Sequence, residues 1–136
     1  MPQRTVKRKV KASTSRHRAV VRIKRAYAPA SREDGTRVLI DRLWPRGVTK
    51  ERLALDLWLK EAAPSDSLRR WFGHKPERWE SFATRYRAEL AQHPDVLDVL
   101  EDLCRRGPVT LVYGARDEQR NDAVVLRELL EARTGR

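Results

Sequence analysis

Residues 109–117 read Val-Thr-Leu-Val-Tyr-Gly-Ala-Arg-Asp, and this stretch decides the fold. Its first five residues form a short apolar run typical of a buried strand, and Gly114 begins a turn into a final helix. A second buried run covers residues 38–40, and a first strand begins near Val20. Because helical patterns separate these runs, the sequence predicts an α/β fold: a small, mostly parallel sheet of three to four strands with about five helices packed on it.

The segments between the strands carry helix signals and one ambiguous pattern. Thr49 can cap a short helix, and four leucines then alternate with other residues, which favours a strand over residues 54–60. A continuous helix from Thr49 is the alternative. Further helices are predicted from Pro64 to Phe72, from Pro76 to about Gln92, from Pro94 to Gly107, and over a last segment that buries Val124, Val125, Leu126, Leu129 and Leu130.

The positive charge is confined to one end of the chain. Residues 1–25 hold ten bases and no acid, whereas the other 111 residues hold 20 bases and 19 acids. Residues 1–19 also have no apolar periodicity, so we predict a basic disordered arm over 1–19 and a single domain over 20–136. The near-neutral domain argues against a general basic nucleic-acid binder, and any nonspecific nucleic-acid binding is assigned to residues 1–25.

Several features point to a cytoplasmic protein. No apolar run is long enough to span a membrane, and the arm lacks the apolar centre of a secretory signal. Its composition also resembles an organellar transit peptide, which stays an alternative to an expendable extension.

Cys104 is the only cysteine, and it lies on an apolar helix face, so we expect a core residue and not a nucleophile.

Two predicted strand ends carry polar residues suited to a ligand site. Residues 41–46 read Asp-Arg-Leu-Trp-Pro-Arg, and residues 114–117 read Gly-Ala-Arg-Asp. Parallel strands would bring both ends to one edge of the sheet, where ligands of open α/β sheets bind and where the last helix aims its free N–H groups. We therefore predict an anion site. Its ligand-binding residues are Arg42, Trp44, Arg46, Tyr113, Arg116 and Asn121, and its catalytic residues are Asp41, His74 and Asp117.

The same residues have a purely structural interpretation. Asp117 could be only the cap of the last helix, and Asp41 could pair with an arginine, as in many cores without a site. His74 lies in a loop between Gly73 and Pro76, which suits proton transfer without being specific to it.

No other motif assigns chemistry. The three histidines have no metal-ligand spacing, and no phosphate-binding glycine motif is present, so the sequence predicts neither a metal nor a cofactor. Bases alternate with aromatics over residues 69–79, which could stack on single-stranded nucleic acid, but the helical spacing of Trp79, Phe82 and Tyr86 favours a core role.

Three runs together resemble a known family. These are residues 37–47 (Arg-Val-Leu-Ile-Asp-Arg-Leu-Trp-Pro-Arg-Gly), residues 71–79 from Trp-Phe-Gly-His to Trp, and residues 111–117 with Asn121. They are similar to the YeaO-like family, domain of unknown function 488, over about residues 21–131. The resemblance implies a small intracellular α/β domain without an assigned activity. Where the family often has a histidine before the asparagine, this chain has Arg120.

Three functions follow from these observations. The first is binding of a small phosphate- or carboxylate-bearing ligand at the strand ends, with catalysis left open. The second is nucleic-acid association through the arm. The third is a protein-interaction module using exposed Trp44, Trp58 and Trp71, and the oligomeric state stays open in all three.

Overall fold

The computed structural model describes residues 20–135, so the predicted arm over residues 1–19 lies outside the described residues. Within these residues, four strands form one sheet: β1 (Val21–Arg25), β2 (Thr36–Leu39), β3 (Leu57–Trp58) and β4 (Val109–Tyr113). The same part of the chain contains five α helices: α1 (Lys50–Leu53), α2 (Asp66–Phe72), α3 (Trp79–Ala91), α4 (Pro94–Arg106) and α5 (Asp122–Thr134). Single 3-10 turns cover Arg32–Asp34, Lys60–Ala62 and Pro76–Arg78.

The sheet has the order β1-β4-β2-β3, and all three strand pairings are parallel. The α/β fold with a small parallel sheet is therefore confirmed. β4 lies between β1 and β2 and is buried along its whole length, as its largely apolar sequence predicts. No helix among residues 20–135 is long and apolar enough to cross a membrane.

Successive side chains of each strand point to opposite faces of the sheet, so the core has two parts, one on each face. Val38 and Ile40 point to one face, where they join side chains from α2, α3, α4 and α5 in the larger apolar cluster. Leu39 points to the other face and packs in a smaller cluster with Val48 and Leu53. The four longer helices thus cover one face, while α1 and the loop before it cover the other.

The helices begin and end where local chemistry requires. The Thr49 hydroxyl accepts a hydrogen bond from the Arg52 N–H at 3.1 Å, and the Ser65 hydroxyl accepts one from the Leu68 N–H at 3.2 Å. At the other end of α2, Gly73 adopts the left-handed conformation that closes a helix. Cys104 lies in the larger cluster as predicted, and burial raises the pKa of its thiol to about 11.

The leucine alternation gives a strand, but a shorter one than predicted. Ala54 turns left-handed after α1, which ends the helix and rules out the continuous helix from Thr49. The strand pairs only with β2, which is itself four residues long. Lys60 then enters a 3-10 turn, so residues 54–56 and 59–60 lie outside the strand.

Candidate functional site

A cavity of about 260 Å³ lies where β2 and β4 end. The two strands are parallel neighbours with Leu39 opposite Val112, so their carboxyl ends reach the same edge of the sheet. The start of α5 and the end of α2 complete the walls. Four of the nine predicted site residues line this cavity: Asp41, Arg42, His74 and Asn121.

Asp41 is fixed to the neighbouring strand end. One oxygen of its carboxylate, Oδ2, accepts a hydrogen bond from the Gly114 N–H at 2.7 Å. A Cβ added to Gly114 would lie 3.2 Å from that oxygen, closer than side chains usually approach. Glycine at this position therefore lets the backbone come near enough to hold Asp41.

Asp122, the first residue of α5, forms a carboxyl pair with Asp41. Burial, the neighbouring charge of Asp41 and hydrogen bonding to its carboxylate raise the pKa of Asp122 well above its ordinary range. The raised pKa favours the neutral form of Asp122 beside the Asp41 carboxylate. Among the described residues no arginine forms an ion pair with Asp41, so that structural interpretation is wrong.

Asp122→Asn is expected to remove a pH dependence of stability. A raised pKa in the folded state means that wild-type stability falls as the pH rises above about 4, by up to about 1.4 kcal/mol for each pH unit until Asp122 ionises. Asparagine keeps the hydrogen bond at every pH. Urea unfolding between pH 4 and pH 8 should give a flatter profile for Asp122→Asn than for wild type. The exposed-site control Asp98→Asn should follow wild type, and an unchanged slope in Asp122→Asn would contradict the raised pKa of Asp122.

Asn121 and Asp117 shape the turn that leads into the cavity. Asn121, not Asp117, is the cap of α5: its Oδ1 accepts from the Val124 N–H at 3.0 Å, and its Nδ2 donates to the Asp117 carbonyl at 2.9 Å. Asp117 instead accepts from the backbone N–H groups of Gln119 and Arg120, which lowers the pKa of its carboxyl. The structural alternative, in which Asp117 is only the cap of the last helix, is therefore wrong.

Three arginines from different segments line the cavity and supply its positive charge: Arg42 after β2, Arg69 on α2 and Arg120 before α5. Arg42 and Arg69 both approach Asp66, at 3.7 Å and 3.5 Å. Arg120 approaches Asp117 at 3.5 Å. These separations exceed ordinary charged hydrogen bonds, and all three side chains are about half exposed, so each guanidinium can turn to another anion.

His74 lies at the cavity in an unusual backbone conformation. Its φ angle is 58°, in the left-handed region, directly after the left-handed Gly73. The side chain is exposed, and its ring centroid lies 5.9 Å from that of Phe72. The residue therefore borders the cavity from the end of α2.

The other predicted site residues do not line this cavity. Arg46 and Arg116 are exposed at the surface. Tyr113 is buried at the end of β4 and borders a separate depression beside β1. Trp44 packs edge-on against Trp58 at 5.4 Å on the opposite face of the sheet.

The tryptophans of the interaction-module hypothesis are not gathered in one patch. Trp44 and Trp58 pack against the smaller cluster, and their indole N–H groups donate to the carbonyls of Val48 and Asp41. Trp71 packs against the larger cluster, with the guanidinium groups of Arg78 and Arg85 over its ring. All three are half-buried.

Sequence reasoning missed Asp122, Arg69, Arg120 and the aromatic wall made by Phe72 and Phe82. An acid in the first turn of a helix is common, so Asp122 carries no signal of its own. Its neighbour Asn121 and the adjacency of β2 and β4 could have indicated it. Among the described residues 20–135, no three His, Cys, Asp or Glu side chains are grouped to hold a metal ion.

Comparisons with known proteins show the family of this chain. The family profile described as "Inactive DUF488-N3 subclade" matches residues 20–136. The uncharacterized protein YeaO of Escherichia coli is 44% identical over 112 residues, which cover 82% of this chain and 97% of that protein. Uncharacterized proteins of Mycobacterium bovis and Mycobacterium tuberculosis are each 42% identical over 113 residues, covering 83% of this chain and 95% of theirs. No solved structure matches the chain significantly. The chain therefore belongs to the YeaO-like DUF488 family, in the subclade described as inactive.

Proposed function

We propose that this domain binds a small ligand carrying a phosphate or carboxylate in the cavity at the ends of β2 and β4. The observation that carries the proposal is the convergence of Arg42, Arg69 and Arg120 on one cavity, each from a different segment. Planar guanidinium groups suit such anions because they donate two parallel hydrogen bonds. Their present acidic partners stand 3.5–3.7 Å away and can be replaced by a ligand.

The surroundings strengthen this charge arrangement. The raised pKa of Asp122 favours its neutral form, so the carboxyl pair at the cavity carries less negative charge and repels an anion less. Apolar side chains, among them Phe72 and Phe82, line part of the cavity. A charge pair in such a partly closed site is screened less than one on an open surface.

We favour a domain that binds the ligand without converting it. The subclade to which the chain belongs is described as inactive. Arg120 stands where the family resemblance often has a histidine, so this chain has a fixed charge at that position in place of a titratable base. Among residues 20–135, His74 is the one imidazole that lines the cavity.

A thermal-shift titration with inorganic phosphate and ribose phosphate tests the proposal. A ligand at 100 times its dissociation constant should stabilise the protein by about 2.7 kcal/mol. Arg120→Ala should lose at least about tenfold in affinity, since a charged hydrogen bond contributes about 1.5 kcal/mol or more. Arg116→Ala is the matched control, four residues earlier on the same loop, exposed and outside the cavity. Equal ligand responses in the two variants would contradict the proposed site.

A second candidate function, nucleic-acid binding, rests on the ten bases of residues 1–25. Three of them are engaged within the fold: Arg22 donates to the Glu33 carbonyl, Lys24 pairs with Asp34 at 2.8 Å, and Arg25 donates to the Ala115 carbonyl at 3.0 Å. The candidate therefore depends on the seven bases of residues 1–19, which lie outside the described residues. Replacing those seven by glutamine in the full chain should abolish salt-sensitive binding to a short oligonucleotide. Unchanged binding would refute this candidate.

A further inference from the structure

We infer that the depression beside β1 is a second ligand site, which binds an amino acid with an apolar side chain through its carboxylate at Arg25 and its ammonium group at Glu118. The depression has a volume of about 340 Å³ and lies at the carboxyl ends of β1 and β4. Among residues 20–135 it shares no lining residue with the cavity at the ends of β2 and β4: Tyr113 lines the depression, and Gly114 and Ala115 line the cavity. The second site therefore does not depend on the proposed anion site.

Arg25 supplies positive charge to the depression, and its guanidinium is held in place. Its Nε atom donates to the Ala115 carbonyl at 3.0 Å, and the guanidinium carbon lies 5.1 Å from the centre of the Tyr27 ring. Within residues 20–135, its two terminal nitrogens have no hydrogen-bond partner, and no carboxylate forms an ion pair with it. A fixed guanidinium with free terminal N–H groups suits a carboxylate, which accepts two parallel hydrogen bonds from it.

Lys24 also lines the depression, but its ammonium group is already paired. It donates to both carboxylate oxygens of Asp34, at 2.8 Å and 3.0 Å, and to the Pro29 carbonyl at 3.0 Å. An ammonium group has three N–H donors, so these contacts use all of them. Of the two cations in the lining, Arg25 is therefore the one that can bind a ligand carboxylate.

Glu118 brings a negative charge to the same depression. It is exposed on the loop before α5 and forms no ion pair within residues 20–135. Burial raises the pKa of the Tyr113 phenol, the charge of Glu118 raises it further, and the charge of Arg25 lowers it, so both charges act on this hydroxyl. Glu118 would repel a phosphate or a dicarboxylate at Arg25, whereas it attracts the ammonium group of an amino acid. The two charges together therefore favour a zwitterion.

Apolar side chains line the rest of the depression and suit an apolar ligand side chain. These are Ile23, Tyr27, Ala28 and the ring of Tyr113. Tyr27 is 38% exposed, so a ligand that covers it removes apolar surface from water, which is favourable. The volume of about 340 Å³ lies at the lower end of the roughly 300–1,000 Å³ of small-molecule sites. The depression therefore suits a single amino acid and not a larger ligand.

An amide-resolved NMR titration of the full chain compares three probes: L-phenylalanine, 3-phenylpropionate and phenethylamine. The second lacks the ammonium group of the first, and the third lacks its carboxylate. We expect phenylalanine to bind at least about tenfold more tightly than either, because each charged contact that is lost weakens binding by about that factor. The largest shifts should fall on residues 25–28, Tyr113 and Glu118, and the amides of Arg42 and Arg69 should not shift.

Two variants test the charged contacts separately. Glu118→Gln should reduce the affinity for phenylalanine to that for 3-phenylpropionate, and Arg25→Gln should reduce it to that for phenethylamine. Arg22→Gln is the control, since Arg22 is an exposed residue of the same strand outside the depression, and it should leave all three affinities unchanged.

Three results would overturn this second site. These are equal affinities for the three probes, no shifts in the depression with phenylalanine at millimolar concentration, and undiminished phenylalanine binding in Glu118→Gln and Arg25→Gln. Each of them leaves the anion site standing, because ribose phosphate tests that site separately.

Discussion

Gly35→Ala is expected to destabilise the protein by about 3 kcal/mol or more. Gly35 has φ 63° and ψ −134°, a conformation that residues with a Cβ rarely adopt. An added Cβ would overlap the carbonyl oxygen of Pro108 and lie 2.8 Å from its carbonyl carbon. That carbonyl accepts from the Thr36 N–H at 3.0 Å, at the start of the β2–β4 pairing, so it cannot move aside without breaking the ladder.

Gly47→Ala is the matched control for this experiment. Gly47 also has a positive φ, 79°, but nothing lies within 4 Å of the Cβ position. It should therefore lose only the conformational cost of about 1 kcal/mol. Urea unfolding gives the loss in free energy of unfolding for each variant. The difference between the two losses is the cost of the contact with Pro108 beyond the cost of the backbone conformation. Equal losses would mean that the close approach of the Pro108 backbone is not the reason why position 35 requires glycine.

Asp34→Asn is expected to cost about 3 kcal/mol at neutral pH, since it leaves two cations without their partner. Asp34 and Arg37 are 2% and 3% exposed and meet at 2.6 Å, and Lys24 joins them at 2.8 Å. Arg37 also donates to the Leu53 carbonyl, which ties α1 to the sheet. The exposed pair Asp102–Arg106 supplies the control, because Asp102→Asn should change stability by less than about 0.5 kcal/mol.

Acid titration gives this prediction a second readout. Burial alone would raise the pKa of Asp34, but hydrogen bonds from Lys24, Ser31 and Arg37 outweigh it and lower the pKa from 3.8 to about 2. A lowered pKa contributes stability that is present above about pH 4 and is lost as the pH falls toward 2. Wild type should lose about 2 kcal/mol over that interval through this residue, and Asp34→Asn should not. Parallel acid profiles for the two proteins would contradict the ion cluster.

Local patterns were sufficient to predict most of the fold. The apolar run of β4 and the residues 38–40 predicted two central strands because such runs suit burial on both faces of a sheet. Pro94 at the start and Gly107 at the end predicted α4, and Pro64 and Ser65 predicted the short helix α2 that ends at Phe72. The predicted strand over residues 54–60 was too long. The alternation of leucines does not show how many residues can pair with the short neighbouring strand β2.

The candidate site was only partly predictable, for a reason that lies in tertiary packing. Asp41 follows a predicted strand, and Asn121 lies near the start of the last predicted helix. Their place at the cavity could be predicted because the carboxyl ends of parallel strands meet at one edge of the sheet. Arg69 and Phe72 reach the same cavity because α2 packs across that edge, and no local pattern specifies this contact. Arg116 and Arg46 have the expected chemistry and positions in sequence, yet the turns that carry them leave both exposed at the surface.

The most direct test of the anion site is an amide-resolved NMR titration of the full chain with ribose phosphate. The account predicts that the largest shifts fall on Gly114, on residues 120–122, and on the amides of Arg42 and Arg69, which surround the cavity. These shifts should weaken in Arg120→Ala and persist in Arg116→Ala. Shifts concentrated in residues 1–19, or none at the cavity with ligand at millimolar concentration, would contradict an anion site at the ends of β2 and β4.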